Sequence, residues 1–221
     1  MKKVQKDFEA THVRPQRLMK TLFTDEAYVK ANVDEARLMR RLFDLACNMQ
    51  SHDTDMQLYS LFTDEECYDL WSCNNLYWYL THACSPVTDG LMPYREADLL
   101  RNILDRADAA LKEGKNQATL RFGHESCLLP LVALLELNHY GESYPDVEKL
   151  SEQWRAYDIF PMASNVQFVF FHKKGSNDVL VKVLLNEKEA KLPVKTDVAP
   201  YYHWKDVESY YREKLDKYQH I

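Results

Sequence analysis

The chain has 221 residues, of which 46% are hydrophobic and 12% aromatic, so it can bury a sizeable core and does not have the composition of a disordered chain. Its formal net charge of −6 argues against a nucleic-acid-binding surface, which is usually basic, but a local basic pocket could still hold a small anionic substrate. No apolar run of about 18 residues predicts a membrane span, and the basic residues after Met1 are not followed by the apolar stretch of a signal peptide.

The first part of the chain, from about residue 16 to residue 112, has apolar residues at helical spacing. Thr63 is predicted to cap the start of a helix, and Glu66 occupies the position at which a capping box has its acidic residue. A later helix is predicted from Arg95 to Leu111, and Gly114 is predicted to end it.

The pattern changes near residue 115. Ala118–Phe122 is predicted to be a short strand, followed by a tight turn at Gly123 and a helix over Ser126–Leu137. Asn165–His172 and Val179–Leu185 are rich in Val, Phe and Leu, and a polar segment containing glycine joins them. These two runs therefore predict a β-hairpin.

These elements predict an α/β chain, with a mainly helical region over residues 1–115 and a small sheet flanked by helices over residues 116–221. A last helix is predicted over Trp204–Tyr218. About three strands make a poor independent core, so we expect that the complete sheet contains strands that this chain lacks. A truncated sheet would leave an open edge, through which the chain could self-associate.

The residues richest in chemistry are Arg121-Phe122-Gly123-His124-Glu125-Ser126, at the point where the predicted strand meets the predicted helix. A helix start offers free N–H groups to a phosphate, and Gly123 allows a ligand to approach the backbone closely. His124 could donate a hydrogen bond to a phosphoryl oxygen, and Glu125 could act as a general acid when it carries a proton. A histidine at a strand end is also common as a structural residue, so the pattern alone leaves both roles open.

The wider sequence around these residues resembles a known family. Thr119–Leu131 is similar to the second signature of the multiple inositol polyphosphate phosphatases, which are histidine acid phosphatases. Three other segments resemble that family in the same order along the chain, and they are Leu38–Asp44, Pro161–Phe170 and Val183–Lys188. The resemblance covers about residues 17 to 212. It implies the phosphoglycerate-mutase-like α/β fold of histidine phosphatases and hydrolysis of phosphoric monoesters, with inositol polyphosphates such as phytate as substrates.

The resemblance also implies a mechanism. In the family, an N-terminal R-H-G-x-R-x-P motif supplies a histidine nucleophile, and the histidine of the second signature contacts the transferring phosphoryl group. His124 matches that second histidine, with Arg121, Gly123 and Ser126 as substrate-binding residues. A strict alignment places Ser126 where the family has its acid, but related branches have the acid directly after the histidine, which favours Glu125. Neither a metal nor a cofactor is implied, and the histidine and cysteine residues show no metal-ligand spacing.

One departure from the family decides the prediction for the whole chain. No R-H-G-x-R-x-P motif is present, and His12-Val13-Arg14-Pro15, the nearest approach to it, lacks the preceding arginine and the glycine. We therefore expect a C-terminal part of a phosphatase that is inactive alone and needs a missing N-terminal half. A non-catalytic phosphate-binding remnant and a helical interaction domain are the alternatives. The family is typically exported, but the sequence leaves the compartment open.

Three arginines of the helical region could also reach a polyphosphate. Arg37, Arg40 and Arg41 stand close together on one predicted helix. Because charge runs of this kind usually lie on a solvated helix face, the sequence favours that interpretation over a substrate-binding role.

Overall fold

Residues 1–115 and 117–218 are described by the structure, which is a computed structural model. They form two compact units that divide between Tyr77 and Trp78. The boundary predicted near residue 115 was based on a change in secondary-structure type, whereas this division is based on packing. The assignment of residues 1–115 and 116–221 to two regions therefore stays a prediction. No helix in the described ranges has both the length and the hydrophobicity that crossing a membrane requires.

The first unit is built from helices. These are α1 (Lys2–His12), α2 (Gln16–Leu22), α3 (Glu26–Asn32), α4 (Glu35–Asn48) and the first part of α5 (Asp64–His82). Asp25 and Asp34 cap α3 and α4, because their side chains accept hydrogen bonds from main-chain N–H groups in the first turn. The apolar faces of the helices supply the buried residues of this unit, which include Phe8, Leu18, Met19, Val29, Met39, Phe62, Leu70 and Leu76.

The predicted capping box at the start of α5 is confirmed. The Glu66 N–H donates to the Thr63 hydroxyl over 3.2 Å, and the Thr63 N–H donates to a Glu66 carboxylate oxygen over 3.0 Å. The Arg17 guanidinium also binds this carboxylate, with its Nε 2.7 Å from Oε1. The hydrogen bond from Arg17 holds the pKa of Glu66 below its ordinary value, although burial acts in the opposite direction.

The second unit contains the rest of α5 and the remaining helices. These are α6 (Ala97–Glu113), α7 (Glu125–Leu134), α8 (Leu150–Gln153), α9 (Ala156–Ile159) and α10 (Trp204–Tyr218). A short 3-10 helix, Met92–Glu96, precedes α6 and packs against α7. The bounds of α10 match the predicted last helix, and α6 confirms the helix predicted from Arg95, with Gly114 at its C-cap.

Helix α10 holds the ends of α6 and α7 in place. The Tyr211 hydroxyl donates to the Leu135 carbonyl, just after α7, over 2.7 Å. The Trp204 indole N–H donates to an Asp108 carboxylate oxygen of α6 over 2.8 Å, and Arg212 donates to the same carboxylate over 2.9 Å. The bond from Tyr211 anchors the C-terminal end of α7, and the bonds from Trp204 and Arg212 anchor α6.

The sheet of the second unit is small and antiparallel. Strand β1 (Val166–His172) pairs with β2 (Val179–Leu185), and Val166 lies opposite Leu185. Strands β3 (Lys188–Glu189) and β4 (Tyr202–His203) also pair with β2. The predicted hairpin is therefore confirmed. With helices around this sheet, the α/β class predicted from the sequence is confirmed as well.

The prediction of a strand over Ala118–Phe122 is wrong. Residues 118–123 form neither strand nor helix, and in the described chain none of their main-chain groups has a hydrogen-bond partner. Leu120 is 74% exposed and Phe122 is 95% exposed. A strand exists only when a neighbouring strand accepts its ladder of hydrogen bonds, and this segment has none beside it. The helix that follows begins at Glu125, one residue earlier than predicted.

Candidate functional site

The candidate site is the start of α7. His124 is the N-cap residue, with an extended backbone (φ −121°, ψ 165°), and its carbonyl accepts hydrogen bonds from the N–H groups of Cys127 and Leu128, each over 3.0 Å. Its side chain caps no N–H group. Among the described residues, the N–H groups of Glu125 and Ser126 have no acceptor. Two donors at the positive end of the helix are therefore open to an anion.

The predicted site residues come together in part. Gly123, His124, Glu125 and Ser126 are consecutive and exposed at this helix start. A Cβ atom placed on Gly123 would meet no atom within 4 Å, so the space beside the backbone is open. Ser126 lies inside the first turn, and the N-cap position belongs to His124.

Arg121 is held away from carboxylates. Its guanidinium donates to the side-chain oxygen of Asn102, on α6, over 2.8 Å. Because the amide partner is neutral, the positive charge of Arg121 is not compensated by this contact. The arginine is exposed, so its charge is available to an anion near the start of α7.

Further polar residues surround the first turn of α7, and the sequence did not single them out. Burial raises the pKa of Glu96, on the 3-10 helix that packs against α7, and the charge of Arg95 and the Cys127 side chain act in the opposite direction. His82, the last residue of α5, interacts electrostatically with both Arg95 and Glu125. Burial lowers the pKa of His82, the charge of Arg95 lowers it further, and Glu125 acts in the opposite direction. His82, Arg95 and Glu96 are distant from His124 in sequence, and no local motif marks them.

His12, which belongs to the segment nearest in sequence to the missing nucleophile motif, lies in the first unit. It ends α1, its Nδ1 is 3.1 Å from an Asp69 carboxylate oxygen, and its ring stacks on Phe8 with the ring centres 4.1 Å apart. Arg14 binds the other oxygen of the same carboxylate over 2.5 Å. Asp69 is buried, so these contacts tie the end of α1 to the core of its unit.

Two of the three arginines of α4 have carboxylate partners on helices of the first unit, and the exposed Arg37 side chain has no ion pair with a described residue. Arg40 binds Glu9 over 2.5 Å, and Arg41 lies 3.4 Å from Asp44 in an exposed pair. These ion pairs are typical of a solvated helix face, as the sequence favoured.

Metal chemistry has no candidate position in residues 1–115 and 117–218, because no group of three His, Cys, Asp or Glu side chains there could hold an ion. The five cysteines are free thiols. Burial raises the pKa of Cys73 to about 12 and that of Cys84 to about 11, so both remain protonated at neutral pH.

Comparison with known proteins gives a consistent set of matches. The sequence model of the histidine phosphatase superfamily (branch 2) matches residues 1–186. The human protein Multiple inositol polyphosphate phosphatase 1 is 28% identical over 134 residues, which is 55% of this chain and 27% of that protein.

Solved structures of the Bifidobacterium longum Multiple Inositol Polyphosphate Phosphatase share the fold. The complex with phosphate has a TM-score of 0.70 at 21% identity, over 82% of this chain and 40% of that one. The complex with inositol hexasulfate has a TM-score of 0.65 at 21% identity, over 80% of this chain and 38% of that one. The chain therefore spans about two fifths of these solved relatives and about a quarter of the human one.

Proposed function

The chain belongs to branch 2 of the histidine phosphatase superfamily, and on that premise we propose that it supplies the acid-donating half of a site that hydrolyses phosphoric monoesters. The observation that carries this proposal is the open start of α7. There, the N–H groups of Glu125 and Ser126 have no acceptor among the described residues, and the side chain of His124 is exposed without a hydrogen bond to them.

In this proposal each predicted residue has a defined task. His124 donates a hydrogen bond to a phosphoryl oxygen, and Gly123 lets the phosphate approach the N–H groups of the helix start. Arg121 and Ser126 bind the remaining oxygens. Glu125, in its protonated form, gives its proton to the ester oxygen as the P–O bond breaks, and its carboxylate later takes a proton from the attacking water.

The nucleophile comes from outside the described residues in this proposal. Phosphoryl transfer to a histidine nitrogen forms a P–N bond as the P–O bond breaks, and water then cleaves the P–N bond. The sequence contains no R-H-G-x-R-x-P motif that could supply such a histidine. We propose that another polypeptide segment, which carries such a histidine as the missing N-terminal half would, completes the site, and that the unpaired residues 118–123 are where it docks.

The proposed substrates are inositol polyphosphates. The support is the family of the relatives, since the matched human protein is an inositol polyphosphate phosphatase by name and the bacterial enzyme was solved with inositol hexasulfate and with phosphate. An uncapped helix start and the cations near it suit a phosphate group in particular.

A phosphatase assay with inositol hexakisphosphate and p-nitrophenyl phosphate tests the proposal. We expect negligible turnover by the isolated chain and measurable binding of inorganic phosphate, and His124→Ala should weaken that binding. His139→Ala, at another exposed histidine of the second unit, should leave it unchanged. Robust turnover with a phosphohistidine on this chain would contradict the missing nucleophile. Equal binding by His124→Ala would contradict the site.

The role of Glu125 has its own test, once a segment that supplies the nucleophile restores turnover. Glu125→Gln should slow the hydrolysis of inositol hexakisphosphate much more than that of p-nitrophenyl phosphate. The inositol oxygen is a poor leaving group without a proton, whereas p-nitrophenolate needs little protonation. Glu152→Gln, an exposed carboxylate elsewhere in the unit, is the control. Equal slowing of both substrates would argue against Glu125 as the acid.

A second candidate function is phosphate binding without catalysis. It is favoured by the combination of an open helix start with the absence of the nucleophile motif. Binding that depends on His124, together with no turnover under any complementation, would select this function over the first.

A further inference from the structure

We propose that Arg95 is a specificity-determining residue of this site. Its guanidinium binds a second phosphate group of a polyphosphorylated substrate, beside the phosphate group held at His124, and His82 lines the same position. This inference rests on the proposed function. It goes beyond it by naming side chains that distinguish a polyphosphate from a single phosphate group.

The packing of the 3-10 helix Met92–Glu96 brings Arg95 to the first turn of α7. This helix packs against α7, and the carboxyl group of its last residue, Glu96, interacts with Cys127 in the first turn of α7. Arg95 is the neighbour of Glu96 and is exposed. Arg95 therefore belongs to an element that packs against α7, although it lies outside the motif that contains His124.

The guanidinium of Arg95 makes no direct polar contact with a described residue. In the part of the second unit that the structure describes, four other arginines have hydrogen-bond partners, and these are Arg101, Arg121, Arg155 and Arg212. Arg95 and Arg106 have neither a hydrogen bond nor an ion pair with any described residue. An unpaired guanidinium presents a planar set of donors that matches a phosphate group.

In this proposal His82, which interacts electrostatically with both Arg95 and Glu125, supplies a nearly buried donor. It is 7% exposed, its Nδ1 is 2.7 Å from the Thr81 hydroxyl oxygen, and its Nε2 has no hydrogen-bond partner among the described residues. When the Thr81 hydroxyl donates to Nδ1, the ring carries its proton on Nε2 and can donate it to a phosphate oxygen. The lowered pKa of His82 keeps the ring neutral near pH 7, so it is a hydrogen-bond donor there and not a second cation.

The positive charge of Arg95 is what makes the second phosphate position favourable for an anion. Glu96 and Glu125 both lie at the first turn of α7, and each would repel a phosphate group. The guanidinium offsets one of these charges, while the free N–H groups and His124 serve the first phosphate. A ligand with a single phosphate group would use the first position alone, whereas an inositol polyphosphate would occupy both.

Calorimetric titration of the full chain with inositol hexakisphosphate and with inorganic phosphate tests this inference. Arg95→Gln should weaken binding of inositol hexakisphosphate about tenfold, because a charge-assisted bidentate contact is lost, and it should change the affinity for inorganic phosphate by less than about twofold. Arg95→Lys should recover part of the loss, since the charge returns without the planar donors.

Arg106→Gln is the matched control, since it removes the same charge from an unpaired arginine. Arg106 lies on α6, roughly 13 Å along the helix axis from Ala97, and its substitution should leave both affinities unchanged. Thermal unfolding of each variant shows whether it folds. If Arg95→Gln weakened both ligands equally, or neither, the second position would be refuted.

The behaviour of His124→Ala separates this inference from the proposed function. If His124→Ala weakens both ligands and Arg95→Gln weakens neither, the second phosphate position is wrong and the proposed function stands. If His124→Ala changes neither affinity, the proposed function fails whatever Arg95→Gln does. If the wild-type chain binds neither ligand, both are overturned.

Discussion

At the start of α5, the hydroxyl of Thr63 and the carboxylate of Glu66 satisfy main-chain N–H groups, and Arg17 neutralises that carboxylate. At the start of α7, the N-cap residue is His124, whose side chain satisfies none, and the N–H groups of Glu125 and Ser126 have no acceptor in the described chain. Both starts have the positive end of a helix dipole. The protein fills the first with its own acidic group, and the second is left for an anion from outside.

The difference separates a helix start used for stability from one available for binding. An internal cap lowers the free energy of the folded state whether or not a ligand is present. An open start contributes less to stability, but it keeps donors that are already oriented, so a ligand that binds there does not first have to displace a side chain.

The largest expected effect is at the capped start. Glu66→Ala should lower the free energy of unfolding by about 2 kcal/mol, because it removes the bond to the Thr63 N–H and leaves Arg17 without its partner. The Glu66 side chain is only 11% exposed, so water replaces these bonds poorly. Urea unfolding of the two proteins measures the difference. Asp64→Ala, an exposed acidic residue in the same turn, should cost less than about 0.5 kcal/mol, and an equal loss in both variants would contradict the special role of Glu66.

The same contribution should depend on pH. The pKa of Glu66 is lower in the folded chain than its ordinary value of 4.5, chiefly through the hydrogen bond from Arg17. A carboxyl group with a lowered pKa stabilises the fold fully above its unfolded pKa and loses that contribution as the pH falls through its folded pKa. The stability difference between wild type and Glu66→Ala should therefore be constant near pH 7 and shrink below about pH 4.5. Urea unfolding at a series of pH values checks this prediction. A stability difference that grew on acidification would contradict the lowered pKa of Glu66 in the folded chain.

A smaller loss is expected from the hydroxyl of the capping box. Thr63→Ala should destabilise the chain by about 1 kcal/mol, since the Glu66 N–H loses its acceptor. Ser126→Ala is the matched change at α7, where the structure gives the hydroxyl no capping bond, and it should alter stability by less than about 0.5 kcal/mol. Chemical unfolding of both variants makes the comparison. If Ser126→Ala cost as much as Thr63→Ala, the two helix starts would not differ as described.

The smallest effect on stability is expected at the open start itself. His124→Ala should change the free energy of unfolding by less than about 0.5 kcal/mol, because the exposed side chain makes no hydrogen bond to the helix. The same variant should bind inorganic phosphate more weakly than wild type. Unfolding and titration of one preparation give both numbers. A large loss of stability would show that His124 has a structural role instead.

Features that depend on neighbouring residues could be predicted from the sequence. The capping box is complete within four residues, and the hairpin of β1 and β2 needs only a short connecting segment. The helix α10 has the predicted bounds for the same reason, because its periodicity is local. The α/β class followed from these elements and from the order of the family-like segments.

Features that depend on distant residues could not be predicted in this way. The β-forming residues of Ala118–Phe122 have the propensity for a strand, but pairing requires a partner that the local sequence does not contain. His82 and Arg95 are related to Glu125 only through the packing of other elements. The motif at His124 located the candidate site, and the groups around it became visible only with the fold.

The exposed segment 118–123 also makes the chain open to proteolysis. Proteases bind their substrates as extended strands, and exposed segments without main-chain hydrogen bonds are cut first. Arg121, in the middle of this segment and exposed, is a position at which trypsin would nick the chain between α6 and α7. A polypeptide that paired with residues 118–123 would take up the same main-chain groups and shield that bond, so the rate of nicking after Arg121 reports directly whether the segment is occupied.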